Sequence, residues 1–350
     1  MDLTPLIERA MMESASDIHL REGYAPRLRI DGELYDVKNL KPTKEDLRKF
    51  IYPMLGEFQI KHFEENLELD FAYGLGQYGR LRGNLFQEQN RFCAVLRLLP
   101  NIIPSLQDIG MPKSCVKFCD LQKGLVLVTG PTGSGKSTTL AAMINEINKH
   151  RRCHIQTVED PIEFVYAQQM ATITQREVGR DTKDFAAALR HSVRQDPDVV
   201  LIGEMRDQET MKVTITLAET GHLALSTLHT GEASQTINRI IDNFDPHQQN
   251  QVRFQLSMTL EGIISQLLIR TQNGRGRIAA REVLVCTRAV KNLIREGKIP
   301  QIYSAMQTGQ DEGMITMINS LGDLFQKGII SYEDALHAAF DKKEFVAKYG

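Results

Sequence analysis

A glycine-rich segment that ends in lysine and serine has the residue types needed to bind phosphate groups. Residues 130–137 match the pattern G-x-x-x-x-G-K-[ST]. The glycines let backbone N–H groups face the α- and β-phosphates of a nucleotide, and the following helix adds its dipole. In this pattern Lys136 contacts the β- and γ-phosphates, and the hydroxyl of Ser137 binds Mg²⁺. The predicted site contains Gly130, Pro131, Thr132, Gly133, Ser134, Gly135, Lys136, Ser137 and Thr138.

Hydrolysis of a bound nucleotide also requires a carboxylate that holds the metal ion or activates water. Residues Asp198–Gly203 have the apolar pattern of a buried strand, and Glu204 follows directly. Ligands bind at the carboxyl ends of such strands, so we predict that Glu204 is the general base and a Mg²⁺ ligand. A second strand pattern ends in acids, for which we predict catalytic and metal-binding roles at Glu163 and nucleotide binding at Glu159. A plain acidic turn is the alternative for this pair.

Two histidines lie at the ends of one apolar segment, Leu223–Leu228. His229, at the end of the predicted strand, is well placed to sense a γ-phosphate. We also assign His222 to nucleotide binding, with a structural role as the alternative. The guanine-specific pattern Asn-Lys-x-Asp is absent, because residues 148–151 lack the acid. ATP with Mg²⁺ is therefore the expected ligand.

A sheet with helices is needed to position these groups. Gly124–Thr129 is a short apolar run typical of a buried parallel strand, and the glycine-rich segment follows immediately. Apolar residues then recur at helical spacing from Leu140 to Ile147. This order repeats downstream, which predicts an α/β domain, and the pattern after Gln251 is mostly helical.

The first 99 residues mix helix and strand patterns and predict a small α+β domain. Two short strand patterns flank Asp31 and Gly32, as in a hairpin with a tight turn. Pro100 and Pro104 then interrupt regular structure. We predict an N-terminal domain at 1–99, a linker at 100–112 and an ATPase domain at 113–350.

Composition excludes several other classes of protein. The 350 residues are 42% hydrophobic and 25% charged, with a formal net charge of -2, so a basic surface for direct nucleic-acid binding is not expected. No apolar run is long enough for a membrane span, and a signal-peptide pattern is missing, so we expect a cytoplasmic protein. The five cysteines form no CxxC pair, which favours free thiols.

Four sequence blocks resemble the signature motifs of the type II/type IV secretion ATPase superfamily. They are GPTGSGKST at Gly130, VEDPIE at Val158, LIGEMRD at Leu201 and TLHT at Thr227. Ala15–Leu20 is similar to the opening of the small PAS-like domain in this superfamily. The resemblance implies a PAS-like α+β domain followed by a RecA-like P-loop domain with a helical C-terminal end.

Within this superfamily the chain is most similar to the retraction ATPases of type IV pili. The long N-terminal extension of assembly ATPases and their four-cysteine insertion are missing. Residues Ala289–Glu296 resemble the AIRNLIRE motif of retraction ATPases, with Val290 and Lys291 in place of Ile and Arg. As a helix, this segment would have an apolar stripe of Ala289 and Leu293, to which Val290 and Ile294 could add. It would either only pack on its own subunit or also couple the ring to the pilus.

The resemblance implies a motor that hydrolyses ATP and powers pilus retraction and twitching motility. It also implies a homohexamer in which Arg82 and Arg97 reach the γ-phosphate, with Arg190 and Arg194 as a second basic pair on one helical face. The implied partners are a platform protein of the inner membrane and, through it, the pilin filament. Such a protein would be cytoplasmic and peripheral at the inner membrane.

Three alternatives remain open. The first is an accessory retraction ATPase, or a pilus-assembly or secretion ATPase. The second is a regulatory module that binds nucleotide without hydrolysing it. The third is a RecA-like nucleic-acid motor. The presence of Lys136 and Glu204 argues against the second, and the charge balance argues against the third.

Overall fold

The fold is described from a computed structural model that covers residues 3–13, 15–30, 32–76, 79–99, 102–274 and 276–350. The chain forms two compact units. The first comprises Met1–Ile102 and Pro161–Val165, and the second comprises Ile103–Asp160 and Tyr166–Gly350. The first division falls within the predicted linker 100–112, in which Pro100 and Asn101 lie outside the described residues.

The first unit is an antiparallel sheet with helices packed on one face. Its strands are β1 (Asp17–Arg21), β2 (Arg27–Ile30), β3 (Glu33–Asp36), β4 (Glu68–Gly74), β5 (Arg80–Glu88) and β6 (Arg91–Leu99), in the order β3-β2-β1-β6-β5-β4. Its helices are α1 (Thr4–Met12), α2 (Lys44–Ile51) and α3 (Glu57–Asn66). Apolar residues alternate along the strands, so one sheet face joins the helices in a core and the other carries polar groups. The β2–β3 hairpin is confirmed, since Ile30 pairs with Glu33, although Asp31 lies outside the described residues.

The second unit contains a mostly parallel sheet. Its strands are β7 (Gly124–Thr129), β8 (His154–Glu159), β9 (Thr172–Glu177), β10 (Val199–Ile202), β11 (Leu223–Leu228), β12 (Leu260–Arg270) and β13 (Arg277–Val285), in the order β13-β12-β7-β11-β10-β8-β9. In this sheet β13 pairs antiparallel with β12, and the other strand pairs that the structure describes are parallel. Strands β7, β10 and β11 are buried along their whole length, as expected for a sheet covered on both faces.

Helices account for most of the remaining second unit. They are α4 (Lys113–Val116), α5 (Lys136–His150), α6 (Phe185–Ser192), α7 (Gln208–Glu219), α8 (Ala233–Asp242), α9 (Pro246–Thr259), α10 (Arg288–Arg295), α11 (Ile302–Thr308), α12 (Met317–Gln326), α13 (Tyr332–Ala338) and α14 (Lys342–Tyr349). Across the part of the chain that the structure describes, none of the helices has the length and apolar character to cross a membrane. All five cysteines are free thiols, and four of them are buried.

The region after Gln251 is mostly helical, as expected, but the expectation missed β12 and β13. These strands form a long antiparallel hairpin, and β12 pairs with β7 in the interior of the sheet. The apolar run in β12 has no clear period, and such a run does not distinguish a buried strand from a buried helix. The run forms a strand because it pairs with β7, whose residues lie far from it in the sequence.

The helix predicted at Ala289–Glu296 is present as α10, and only part of its expected apolar stripe is buried. Val290 and Ile294 are fully buried, whereas Ala289 is exposed. Lys291 forms an ion pair of 2.7 Å with Glu261 of β12. The segment therefore packs on its own unit through Val290 and Ile294.

Glu282 on β13 is a buried carboxylate that stabilises two helix ends. Its Oε1 accepts a hydrogen bond from the backbone N–H of Ala233 at 2.8 Å, and its Oε2 accepts one from Met317 at 3.4 Å. These are the first residues of α8 and α12, where N–H groups have no partner inside the helix. Burial raises the pKa of the Glu282 carboxyl to about 7.

We expect the free energy of unfolding to fall as the pH rises from about 4.5 to about 7, because the folded Glu282 keeps its proton after the unfolded one has lost it. This one group should account for a change on the order of 3 kcal/mol. Urea unfolding at a series of pH values measures the change. Glu282→Gln has no titrating proton and should flatten this part of the profile; parallel profiles for wild type and variant would contradict the prediction.

Candidate active site

The phosphate loop joins β7 to α5 and depends on glycine at three positions. Gly130, Gly133 and Gly135 have φ angles of +141°, +77° and +87°, which residues with a Cβ atom rarely adopt. At Gly130 a Cβ atom would also lie 2.3 Å from the carbonyl oxygen of Gln266. At Gly133 a Cβ atom would meet nothing within 4 Å, so the loop is open on this side. This backbone fits a cradle that binds phosphate through N–H groups.

Lys136 and Ser137 begin the helix that follows the loop. The Nζ of Lys136 donates to the carbonyl oxygens of Gly130 at 2.8 Å and Pro131 at 3.0 Å, so the ammonium group lies against the loop. The side chain of Ser137 is exposed, and Thr138 is half-buried. A charged amine and a hydroxyl are thus placed at the amino end of α5, where the helix dipole also favours an anion.

The strand register brings three of the predicted residues to one edge of the sheet. Leu228 pairs with Thr129, so His229 is the next residue in register beside Gly130. Ile202 pairs with Val158, so Gly203 lies level with Glu159, and Glu204 follows. The phosphate loop, His229, Glu204 and Glu159 therefore all follow the carboxyl ends of parallel strands, which is where α/β proteins bind ligands.

Glu204 lies between two groups that carry or accept positive charge. Its side chain is only 13% exposed, and its Oε1 is 2.5 Å from the Nη2 of Arg206. Its Oε2 is 3.4 Å from the Nε2 of His229. Sequence reasoning missed Arg206, although it lies two residues beyond Glu204 in the same motif.

Glu159 and Glu163 have different surroundings. Glu159 is buried, and its Oε1 accepts hydrogen bonds from the hydroxyl of Thr157 at 2.6 Å and from the amide of Gln175 at 3.3 Å. These contacts hold the carboxylate within the sheet edge. Glu163 is half-buried in an irregular segment that groups with the first unit, so its predicted role in catalysis stays a prediction.

The assignment of His222 to the nucleotide site is corrected by its position. Its Nδ1 lies 3.0 Å from the carbonyl oxygen of Leu217, and its own carbonyl oxygen accepts from the N–H of Gly124 at 3.0 Å. Gly124 begins β7, so His222 lies at the amino ends of the strands. The six residues of β11 separate it from the other edge by about 20 Å. This position favours the structural role that was the alternative for His222.

Arg190 and Arg194 do not share one helical face as predicted. Helix α6 ends at Ser192, and Arg194 lies beyond it, with its backbone N–H bonded to the carbonyl oxygen of His191. Arg190 forms an ion pair with Glu209 of α7. Both arginine side chains are exposed, so their role in nucleotide binding stays a prediction.

Arg82 and Arg97 lie directly opposite each other on β5 and β6 of the first unit. Like charges in this position repel, so nearby acids are needed to stabilise them. Arg97 donates from its Nε to Oδ1 of Asp17 at 2.8 Å, and Arg82 lies 4.0 Å from Asp70. Burial of Asp17 alone would raise its pKa, but hydrogen bonds from Ser16 and Arg97 hold the pKa below its usual value. Two guanidinium groups are thereby held side by side on the polar sheet face.

A phosphate loop and a carboxylate on one edge of a parallel sheet define a P-loop nucleotide hydrolase. Comparison with known proteins identifies the family. The chain matches the family described as "Type II/IV secretion system protein" over residues 1–337. The chain belongs to this family, and it is an ATPase with the α/β fold that the sequence predicts.

Named relatives and solved structures agree with this assignment. The type IV pilus retraction ATPase PilT of Pseudomonas aeruginosa is 45% identical over 340 residues, which is 97% of this chain and 98% of that protein. A twitching motility protein of Neisseria gonorrhoeae is 45% identical over 314 residues, or 90% and 84% of the two chains. A crystal structure of the pilus retraction motor PilT with bound ADP has a TM-score of 0.93 at 45% identity and covers 99% of both chains.

Proposed function

We propose that this chain is the ATP-hydrolysing motor that retracts type IV pili and works as a ring of six identical chains. The observation that carries the proposal is 45% identity to a pilus retraction ATPase over 97% of the chain. The site supports it, because the phosphate loop and Glu204 supply the groups that binding and hydrolysis require.

In the proposed reaction, the N–H groups of the loop and Lys136 bind the β- and γ-phosphates. Glu204 orients the attacking water and accepts its proton, while His229 senses the γ-phosphate through the same carboxylate. Arg82 and Arg97 of a neighbouring chain stabilise the charge that develops on the transferred phosphoryl group. The work of the cycle then comes from rigid-body movement of domains around the nucleotide.

The chemistry of the site also fits Mg²⁺. No group of three or more His, Cys, Asp and Glu side chains could hold a metal ion within the described ranges, and Mg²⁺ usually binds through one or two protein oxygens together with substrate phosphates. Ser137 and Glu204 would hold the ion, with Glu163 as a further candidate. When bound, Mg²⁺ neutralises negative charge on the phosphates.

The partner we propose is a platform protein of the inner membrane, through which the motor acts indirectly on the pilin filament. The protein would thus work at the cytoplasmic face of that membrane, with no direct contact to nucleic acid. Helix α10 is a candidate for this coupling, because Arg295 is exposed at its end and lies 5.8 Å above the ring of Phe254, itself 54% exposed. Lys291 instead holds the helix on its own unit through its ion pair with Glu261.

An accessory retraction ATPase is the second candidate. The Pseudomonas aeruginosa type IV pilus ATPase PilU is 38% identical over 336 residues, which is 96% of this chain. The two candidates differ in the effect of deleting the gene. Pili cannot be withdrawn without the main retractor, whereas they can still be withdrawn without an accessory one.

Deletion of the gene, followed by counts of surface pili and an assay of twitching, tests the proposal. We expect excess, immobile pili and no twitching, because assembly continues without withdrawal. Wild-type protein expressed from a plasmid should restore retraction, whereas Glu204→Gln at equal expression should not. Fewer pili after deletion would indicate an assembly ATPase, and unchanged retraction would indicate an accessory one.

A further inference from the structure

Gln266 of β12 contacts the phosphate loop, although 132 residues separate it from Ser134. Its side chain is only 1% exposed. Its Nε2 donates to the carbonyl oxygen of Ser134 at 2.7 Å, and its Oε1 accepts from the hydroxyl of Thr139 at 2.9 Å. One buried amide thus joins the end of the loop to the first turns of α5.

The chemistry of the two partners fixes the orientation of this amide. A carbonyl oxygen only accepts hydrogen bonds, so the nitrogen of Gln266 must face Ser134. The oxygen then faces Thr139, whose hydroxyl donates. Both ends of the amide are paired, and the reversed orientation would break the bond to Ser134.

The position of Gln266 in the sheet brings it beside the loop. Ser265 and Thr129 are the last paired residues of β12 and β7, so Gln266 continues β12 where β7 turns into the loop. A Cβ atom at Gly130 would lie 2.3 Å from the backbone oxygen of Gln266. Backbone and side chain of this one residue therefore line both ends of the loop, at Gly130 and at Ser134.

A loop that turns its N–H groups towards phosphate turns carbonyl groups away from it, and buried carbonyl groups require a partner. For Ser134 that partner is the amide of Gln266. Without it, the carbonyl would turn to find another donor, and the N–H groups at the start of α5 would turn with it.

We propose that Gln266 is a positioning residue of the nucleotide site, which holds the phosphate loop in its binding shape through the carbonyl of Ser134. The role rests on the proposed nucleotide site and adds to it a residue from a strand outside the sequence motifs. Gln266 acts through the loop, and the phosphates are contacted by the loop itself.

Gln266→Met keeps the length of the side chain and removes both hydrogen bonds, so the dissociation constant for ADP and the KM for ATP should rise by about 10- to 100-fold. Gln266→Glu, which cannot donate to Ser134, should bind at least as weakly. The matched control is Ser265→Ala, one residue earlier in β12. It removes a buried hydrogen bond of 2.8 Å to Thr129 without touching the loop, so it should lower the melting temperature but not the affinity for ADP.

Fluorescence titration with ADP and steady-state kinetics with ATP measure these effects, and thermal unfolding without nucleotide reports the fold. Unchanged ADP affinity in Gln266→Met would overturn the proposal, as would an equal loss in Ser265→Ala. If Gln266→Met does not fold, the ADP affinities of Thr139→Val and Thr139→Ser test the proposal instead. Only the serine variant keeps the hydroxyl that donates to Gln266, so equal affinities of the two variants would overturn the proposal. A wild-type chain that binds no nucleotide would instead overturn the proposed function.

Discussion

An Arg97→Ala chain is expected to lose ATPase activity by about 10³- to 10⁵-fold, while a mixture of this chain with Lys136→Ala chains should regain activity. Each variant lacks one half of a site: the first keeps the phosphate loop, and the second keeps the arginine pair. If the arginines serve the neighbouring chain, some junctions in a mixed ring have both halves intact. Steady-state ATPase assays of rings with verified mixed composition measure the recovery.

The loss in Arg97→Ala must be separated from damage to the sheet, because Asp17 is only 4% exposed and would lose a partner. Asp17→Asn removes the carboxylate charge and keeps Arg97, so it should lower activity much less. Arg27→Ala is the second control: this arginine is paired with Asp36 at 2.6 Å in the same sheet, and both side chains are exposed. Mixed rings that stay inactive would count against arginines that act between chains.

A Glu204→Gln chain is expected to bind ATP about as tightly as wild type and to hydrolyse it about 10²- to 10⁴-fold more slowly. Glutamine keeps the size of the side chain but cannot accept a proton from water. Lys136→Ala should show the opposite pattern, with weak binding, because it removes the positive charge that meets the β- and γ-phosphates. Equilibrium binding of a nucleotide analogue together with steady-state turnover distinguishes the two defects.

Arg206→Ala provides a control for Glu204, since it removes the ion-pair partner of Glu204 and leaves the base in place. We expect it to reduce turnover less than Glu204→Gln does. Near wild-type turnover in Glu204→Gln would show that another group activates water, and Glu163 would then be the candidate to replace next.

Sequence patterns predicted the features that depend on neighbouring residues. A strand, a glycine-rich turn and a helix occur together within residues 124–150, so the phosphate loop could be recognised from local sequence alone. The position of Glu204 followed in the same way, because an apolar strand that ends in an acid predicts where that acid emerges.

Features that depend on pairing between distant residues were not accessible in this way. The strand β12 was missed because its apolar run fits a buried helix equally well, and Gln266 was missed with it. The position of His222 was also not predictable. From sequence alone, a histidine before a strand and one after it are equally plausible neighbours of the loop. The parallel pairing of β7 and β11 shows that only the carboxyl end of β11 lies beside the loop.

The order of strands sets a spacing at the site. β11 lies between β7 and β10, so the phosphate loop and Glu204 emerge two strands apart, which corresponds to roughly 10 Å. That gap is defined by rows of backbone hydrogen bonds and is therefore insensitive to the exchange of side chains around it. In the proposed reaction, the distance between phosphate binding and water activation is therefore set by the backbone of the sheet.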